Sequence, residues 1–198
     1  MKDYSKKIIT IPNILSVFRL ALIVPMFIAF FKEKYLLSFI IIVISGVSDV
    51  IDGIIARKFN MVSDVGKLLD PIADKLTQIS IMVLLSTKQI LLLIPCAMLV
   101  IKELISGFIG IYVVRRIKHM LHAEWHGKLS TVFLYILMGA HMLMLIIWGK
   151  IFLPVSYALI AVSTVLIIIS FVLYLKRYAR LIKEIKSGKE NRNKKDLI

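Results

Sequence analysis

Six long apolar stretches, separated by short charged segments, restrict the folds that this chain can adopt. The sequence has 198 residues, of which 59% are hydrophobic and only 19% are charged, so it is far too apolar for an ordinary soluble domain. Each stretch is long enough to cross a hydrocarbon core of roughly 30 Å as a helix. The sequence therefore predicts an all-α polytopic membrane protein with six transmembrane helices. The predicted spans cover about residues 13–31, 35–57, 71–87, 90–114, 129–148 and 154–175.

The segments outside these spans are short. Residues 1–11 carry three lysines and lack the cleavage pattern of a signal peptide, which favours a short N-terminal interfacial segment. The polar tail after about residue 188 is expected to be mobile. Because no soluble domain, internal repeat or long linker remains, we expect residues 1–198 to form a single membrane domain.

The distribution of positive charge predicts the orientation of the chain. Of the 26 Lys and Arg residues, 19 lie at the N-terminus, after the second and fourth predicted spans, and in the tail, whereas four lie in the opposite loops. The positive-inside rule then puts both termini and segment 57–69 in the cytoplasm. The same bias, together with attraction to anionic lipid head groups, accounts for the net charge of +14. We therefore expect membrane lipids, and no nucleic acid, as partners.

Four aspartates interrupt this apolar pattern between residues 49 and 74. Asp49 and Asp52 are three residues apart, and Asp70 and Asp74 are four apart, so each pair projects from one face if its segment is helical. Isolated carboxylates cannot stay ionised near hydrocarbon without cations. Capping of helices or a solvated loop is the alternative, but the spacing of all four favours a site for divalent metal ions.

The residues between the two pairs suit a phosphate-bearing ligand. Gly53 and Ala56 remove side-chain bulk where a ligand or a helix must come close, and Arg57 supplies a fixed positive fork. Gly66, four residues before Asp70, allows the connecting loop to turn sharply. Carboxylates for metal, a guanidinium for phosphate and small residues for clearance are the parts needed to handle a diphosphate.

These residues resemble the signature of the CDP-alcohol phosphatidyltransferases, integral membrane enzymes of phospholipid synthesis. The matching positions read Asp49-x2-Asp52-Gly53-x2-Ala56-Arg57-x8-Gly66-x3-Asp70-x3-Asp74. The resemblance implies six transmembrane helices, a homodimer and two divalent ions (Mg or Mn) on the four aspartates. It also implies that an alcohol displaces CMP from a CDP-linked lipid, with Asp74 as the catalytic base. The cytidine diphosphate is then expected between the second and third helices, where Gly53, Ala56, Arg57 and Gly66 lie.

Two further stretches are similar to the phosphatidylglycerophosphate synthase branch of this family. Pro12-Asn13, with Ser16 and Arg19, matches the opening of the first helix in that branch, and Gly127-Lys128 with Thr131 resembles the start of its fifth helix. For Arg19, snorkelling to the membrane surface is the alternative to a role that faces the active site. This branch implies glycerol 3-phosphate as the acceptor.

One difference from the pattern of this branch bears on the identity of the acceptor. Where those enzymes commonly have an Arg-Glu pair and then an arginine, this chain has Lys102-Glu103 and Gly110. Lys102 and Glu103 lie midway along a predicted span, where they either pair with each other or serve function. The cations available for an acceptor phosphate are Arg115, Arg116, Lys128 and Lys102.

Three functions remain open from the sequence. The first is an enzyme of the bacterial cell membrane that joins CDP-diacylglycerol to glycerol 3-phosphate and releases CMP. The second uses another alcohol, with phosphatidylglycerol as the leading candidate, and forms cardiolipin. The third, from another class, is a cation transporter or channel, since ion pathways also use intramembrane carboxylates. A channel would not require the Gly, Ala and Arg between the aspartates.

Overall fold

The computed structural model describes residues 10–58, 64–117 and 125–195, and every regular element in these ranges is helical. This confirms the all-α prediction. The predicted interfacial segment falls almost entirely on residues 1–9, which lie outside the described residues. The elements are α1 Ile11–Phe31, α2 Tyr35–Lys58, α3 Asp64–Ser86, a 3-10 helix Ile90–Leu92, α4 Leu93–Ile117, α5 Trp125–Trp148 and α6 Leu153–Lys195.

Five candidate membrane spans occur within the described residues. They are Pro12–Phe31, Tyr35–Ile55, Ile90–Ile109, Gly127–Trp148 and Leu153–Arg180. Many of their outward side chains are apolar and exposed, as is expected for lipid contact. The chain is therefore a polytopic membrane protein. The third predicted span corresponds to α3, whose first half is rich in charge and which is not among the five, so the count of six stays a prediction.

The start of α3 differs from the prediction. We expected the helix to begin at Pro71, but it begins at Asp64, so Pro71 lies inside it and Gly66 lies in its first turn. The prediction of a sharp loop at Gly66 is therefore wrong. Proline is favoured at the start of a helix. Inside a helix it removes one backbone hydrogen bond and its ring crowds the carbonyl four residues earlier. The packing of α3 against α1 is a gain that can offset this cost. As a result, Asp70 and Asp74 lie on one continuous helix.

The chain divides into two compact units. In the first, which spans Met1–Ile90 and Ala140–Ile151, α1 packs against both α2 and α3. Ser38, Ser45 and Asp52 are all buried on α2 and follow one another at intervals of seven residues, so they share one face. Small side chains let membrane helices approach closely, and Ser38 Oγ donates a hydrogen bond across this contact to the Met26 carbonyl at 3.2 Å.

The second unit spans Leu91–Gly139 and Phe152–Ile198, and in it α4 packs on α6. Ser156, Ser163 and Ser170 are buried on α6, again seven residues apart. The helix continues to Lys195, beyond the predicted end of the sixth span. The mobility of the tail and the single membrane domain both stay predictions.

Candidate active site

The first aspartate pair is placed by the serine-lined face of α2. Asp52 follows Ser38 and Ser45 at the same interval of seven residues, and it is only 3% exposed. Asp49 lies one turn earlier on the helix, and its side chain is about half exposed. A carboxylate in the position of Asp52 needs a positive partner, because an unpaired buried charge costs several kcal/mol.

Arg19 of α1 is that partner. Its Nη1 lies 2.5 Å from Asp49 Oδ1, and its Nη2 lies 2.5 Å from Asp52 Oδ2. The arginine is 2% exposed, so it does not snorkel to the membrane surface. One guanidinium thus contacts both members of the aspartate pair, which fixes the last turns of α2 against α1.

Ser16 connects the same face of α1 to the second aspartate pair. Its Oγ lies 2.5 Å from Asp70 Oδ1 and 3.0 Å from the Pro12 carbonyl, so its single proton is donated to one of these acceptors at a time. Ser16 and Arg19 are three residues apart and share a helix face. The sequence alone does not indicate that Ser16 contacts an aspartate. Its spacing of three residues from Arg19 is the signal that points to such a contact.

The structure brings three of the four aspartates together around α1. Asp52 is close enough to Asp49 and Asp70 to interact electrostatically with both, while Asp74 is half-buried one turn beyond Asp70. Three carboxylates near a single guanidinium leave excess negative charge, and carboxylate oxygens are the ligands that Mg²⁺ and Mn²⁺ prefer. The donor set therefore fits divalent cations. Within the described residues, however, no three His, Cys, Asp or Glu side chains form a ready metal-binding group.

The predicted nucleotide-binding residues are described in part. Gly53 is half-buried on α2, and Gly66 is buried in the first turn of α3. The side chains of Ala56 and Arg57 lie outside the described residues, although both residues belong to α2. A phosphate contact by Arg57 therefore stays a prediction.

The predicted acceptor residues belong to the second unit. Lys102 is buried on α4, with its Nζ 3.8 Å from Glu103 Oε1 and 5.8 Å from the centre of the Tyr174 ring. A cation over an aromatic face is attracted by the ring quadrupole, so Tyr174 is a second neighbour that the sequence did not indicate. Lys128 is exposed at the start of α5.

The other residues predicted to bind the acceptor lie on α4 and α5. The Thr131 hydroxyl donates to the Gly127 carbonyl at 3.1 Å, so its proton is used within α5. A Cβ on Gly127 would lie 3.2 Å from Tyr174 Oη, which explains the small residue at this helix contact. The side chains of Arg115 and Arg116 lie outside the described part of the chain.

Comparison with known proteins connects this geometry to a family. The CDP-alcohol phosphatidyltransferase profile matches residues 9–175. A relative from Aquifex aeolicus, named CDP-diacylglycerol–glycerol-3-phosphate 3-phosphatidyltransferase, is 31% identical over 180 residues, which cover 88% of this chain and 99% of that protein.

Other relatives match over shorter segments. The Rickettsia bellii protein of the same name is 38% identical over 101 residues, covering 49% of this chain and 56% of the relative. A Streptomyces coelicolor protein named cardiolipin synthase (CMP-forming) is 40% identical over 92 residues, covering 43% of this chain and 42% of the relative. The chain thus spans about half the length of these two relatives. Since the profile covers most of the sequence and the Aquifex protein matches almost end to end, the chain belongs to the CDP-alcohol phosphatidyltransferase family.

Proposed function

We propose that this protein is an enzyme that transfers the phosphatidyl group of CDP-diacylglycerol to glycerol 3-phosphate. The products are CMP and phosphatidylglycerophosphate. The observation that carries the proposal is the gathering of Asp49, Asp52 and Asp70 around Arg19 and Ser16 in a chain of this family. The name of the Aquifex relative, which matches nearly the whole chain, supports glycerol 3-phosphate as the acceptor.

The chemistry needs a base for a weakly nucleophilic hydroxyl. The acceptor oxygen attacks the phosphorus that bears diacylglycerol, the bond from that phosphorus to the CMP oxygen breaks, and the hydroxyl proton passes to Asp74. Asp74 is half-buried and lies one turn beyond Asp70, so the spacing puts the two carboxylates on the same face of α3. Arg19 and Ser16 hold the remaining aspartates in place.

Two divalent ions, Mg or Mn, are proposed as cofactors, held by the four aspartates of α2 and α3. When bound, they neutralise the diphosphate and stabilise the charge that develops on the departing CMP. The excess of carboxylate over guanidinium around Arg19 supports this assignment.

We assign the two substrates to different groups of residues. Gly53, Ala56, Arg57 and Gly66 provide the site for the cytidine diphosphate. The acceptor phosphate is assigned to the four cations that the sequence makes available for it. Lys102 supports this, since a buried ammonium beside an aromatic ring is an expensive feature inside a span. The acceptor cations are Lys102, Arg115, Arg116 and Lys128.

The cellular setting follows from charge and from the family. The positive-inside pattern supports a cytoplasmic active site and cytoplasmic termini in a bacterial cell membrane. A homodimer is proposed from the family resemblance.

A second candidate uses phosphatidylglycerol as the alcohol and forms cardiolipin. The similarity to the Streptomyces protein named cardiolipin synthase favours it, as does the lysine at position 102. Both candidates share the donor lipid and the chemistry, so they differ only at the acceptor.

An assay of CMP release by the purified protein in lipid nanodiscs separates these functions. The acceptors to compare are glycerol 3-phosphate, phosphatidylglycerol, glycerol and buffer alone. We expect CMP release to require glycerol 3-phosphate and a divalent ion. Greater turnover with phosphatidylglycerol would move the assignment to cardiolipin synthesis. No CMP release with any acceptor, together with cation flux in proteoliposomes, would instead indicate a channel.

A further inference from the structure

A narrow crevice lies between α1, α2 and α3, closer to the middle of the spans than the aspartates are. Arg19 forms part of its wall. Apolar side chains such as Leu22, Met26 and Ile41 make up most of the remainder, while Ser45 and Thr77 supply hydroxyl groups. The crevice therefore adjoins the aspartate site through Arg19 and is otherwise mostly hydrocarbon in character.

Three hydrogen-bond donors on this wall have no partner among the described residues. They are Arg19 Nε, Ser45 Oγ and Thr77 Oγ1, and each of these atoms is buried. Ser45 is 3% exposed, and Arg19 is 2% exposed. A buried donor without an acceptor costs about 1–3 kcal/mol. Three such donors around one crevice point to an acceptor other than the described residues.

Several neighbouring hydroxyl groups, by contrast, donate hydrogen bonds to backbone carbonyls, although the side-chain amide of Gln78 on α3 also has no partner among the described residues. Ser38 donates to the Met26 carbonyl, and Ser48 donates to the Ser45 carbonyl at 2.7 Å. Ser86 and Thr87 likewise donate to carbonyls three residues earlier in α3. Hydroxyls in helices commonly satisfy themselves in this way. Ser45 and Thr77 instead keep their protons available at the crevice.

The chemistry of the wall defines the missing partner. The guanidinium Nε–H can only donate, and the two hydroxyls have unused protons, so the partner must accept hydrogen bonds. As the side chains stand, the crevice has no room for a water molecule, so any acceptor requires Leu22 and Met26 to rotate. Water would then match only the donors, whereas an acceptor bonded to apolar chains would match both the donors and the hydrocarbon walls. Ester carbonyls of a diacylglycerol have this composition.

We propose that Arg19, Ser45 and Thr77 bind the fatty-acyl ester carbonyls of the CDP-lipid. This inference rests on the proposed function and adds the part of the donor lipid that the aspartates do not contact. Ser45 lies seven residues before Asp52, about 10 Å along α2, and Thr77 lies one turn beyond Asp74. The glycerol esters of a lipid whose diphosphate lies at the aspartates would reach this depth. The site thus selects ester-linked over ether-linked lipid.

Ester and ether versions of the substrate test the assignment directly. Equilibrium binding of CDP-diacylglycerol and CDP-dialkylglycerol is measured on the purified protein in nanodiscs of ether-linked phosphatidylcholine, so that the only ester groups belong to the ligand. Because a neutral hydrogen bond contributes about 0.5–1.5 kcal/mol, we expect the wild type to bind the ester lipid about 2- to 12-fold more tightly for each hydrogen bond that the ester makes. In Ser45→Ala with Thr77→Val, the affinity for the ester lipid should fall and that for the ether lipid should stay unchanged.

Ser38→Ala is the matched control, because Ser38 lies on the same face of α2 but outside the crevice, with its hydroxyl bonded to Met26. It should keep the full ester preference. Equal binding of both lipids by the wild type, or a preference that survives the double substitution, would overturn the inference while leaving the proposed function intact. The preference should persist in nanodiscs of ester-linked phosphatidylcholine; its loss there would show that carbonyls of bulk lipid occupy the site and would also overturn the inference. If neither CDP-lipid binds, the proposed function itself fails.

Discussion

At the scale of single residues, α1 supplies the side chains that contact the aspartates of α2 and α3. Arg19 contacts Asp49 and Asp52, and Ser16 contacts Asp70, from positions three residues apart. Arg19 balances the negative charge of Asp49 and Asp52, and Ser16 orients the Asp70 carboxylate. Each role predicts a different consequence of substitution.

Arg19→Gln should reduce stability. It removes the cation that pairs with Asp52 in a buried position, and loss of one partner from a buried ion pair costs about 3–5 kcal/mol. We expect the free energy of unfolding, measured by denaturant titration in detergent micelles with a chelator present, to fall by about this amount. Added Mg²⁺ should restore part of the loss. Lys150→Gln, at an exposed position, is the control, and a change below about 1 kcal/mol for Arg19→Gln would contradict the assigned pairing.

Ser16→Ala should reduce activity without unfolding the protein. A hydrogen bond to a carboxylate contributes about 1.5–3 kcal/mol, so the rate of CMP release should fall about 10- to 100-fold. Because Asp70 loses its orientation, the Mg²⁺ concentration for half-maximal activity should also rise, which a general loss of stability would not produce. Ser16→Thr retains a hydroxyl and should recover part of the rate. Ser86→Ala, whose hydroxyl bonds to its own helix, should behave like the wild type.

At the scale of elements, the ends of the first three helices away from the aspartates are joined by a small cluster. Lys88 Nζ, just after α3, lies 3.3 Å from Glu33 Oε1 and 5.6 Å from the centre of the Tyr35 ring at the start of α2. Tyr35 also meets Phe30 edge to face at 5.2 Å. Glu33 has φ of 57° in the tight turn between α1 and α2. This cluster ties the α1–α2 turn to the end of α3.

The cluster predicts a pH-dependent contribution to stability. A hydrogen bond with Tyr35 holds the pKa of the Lys88 ammonium above its ordinary value of 10.5, and Glu33 adds to the shift. Since the folded pKa is raised, the contribution is fully present below pH 10.5 and is lost as the pH rises through the folded pKa. Lys88→Met should lower the unfolding free energy by about 0.5 kcal/mol at pH 8, as for a partly exposed pair. Lys34→Met is the control, and a difference from wild type that persists above the raised pKa would count against this explanation.

At the scale of the whole molecule, apolar helices and asymmetric charge define a polytopic membrane protein. The aspartates lie near the carboxyl end of α2 and in the first half of α3, at the end where α1 begins. Most Lys and Arg residues outside the spans fall on this predicted side. The charge pattern therefore predicts one orientation for the entire chain.

Cysteine labelling tests the orientation. Cys96 is the single cysteine and is buried, so a Cys96→Ser background allows single cysteines to be introduced at exposed positions. In intact cells, a membrane-impermeant maleimide should label Lys150→Cys but not Lys58→Cys. Inverted membrane vesicles should give the opposite pattern. Labelling of Lys58→Cys in intact cells would contradict a cytoplasmic active site.

The helices and the aspartate motif could be predicted from the sequence alone. Runs of apolar residues about 20 long have few folding options in a membrane. The eight signature positions from Asp49 to Asp74 indicate the same family as the profile that matches residues 9–175. These features depend on local composition and spacing. They therefore required no knowledge of which helices are neighbours.

Contacts between helices were decided by the tertiary structure. That Arg19 pairs with Asp49 and Asp52, and that Ser16 reaches Asp70, depends on α1 packing against both α2 and α3. The same packing lets α3 begin before Pro71. It also leaves the donors at the crevice without partners among the described residues. A sequence pattern specifies which side chains share a face of one helix, but only packing determines which face of another helix they meet.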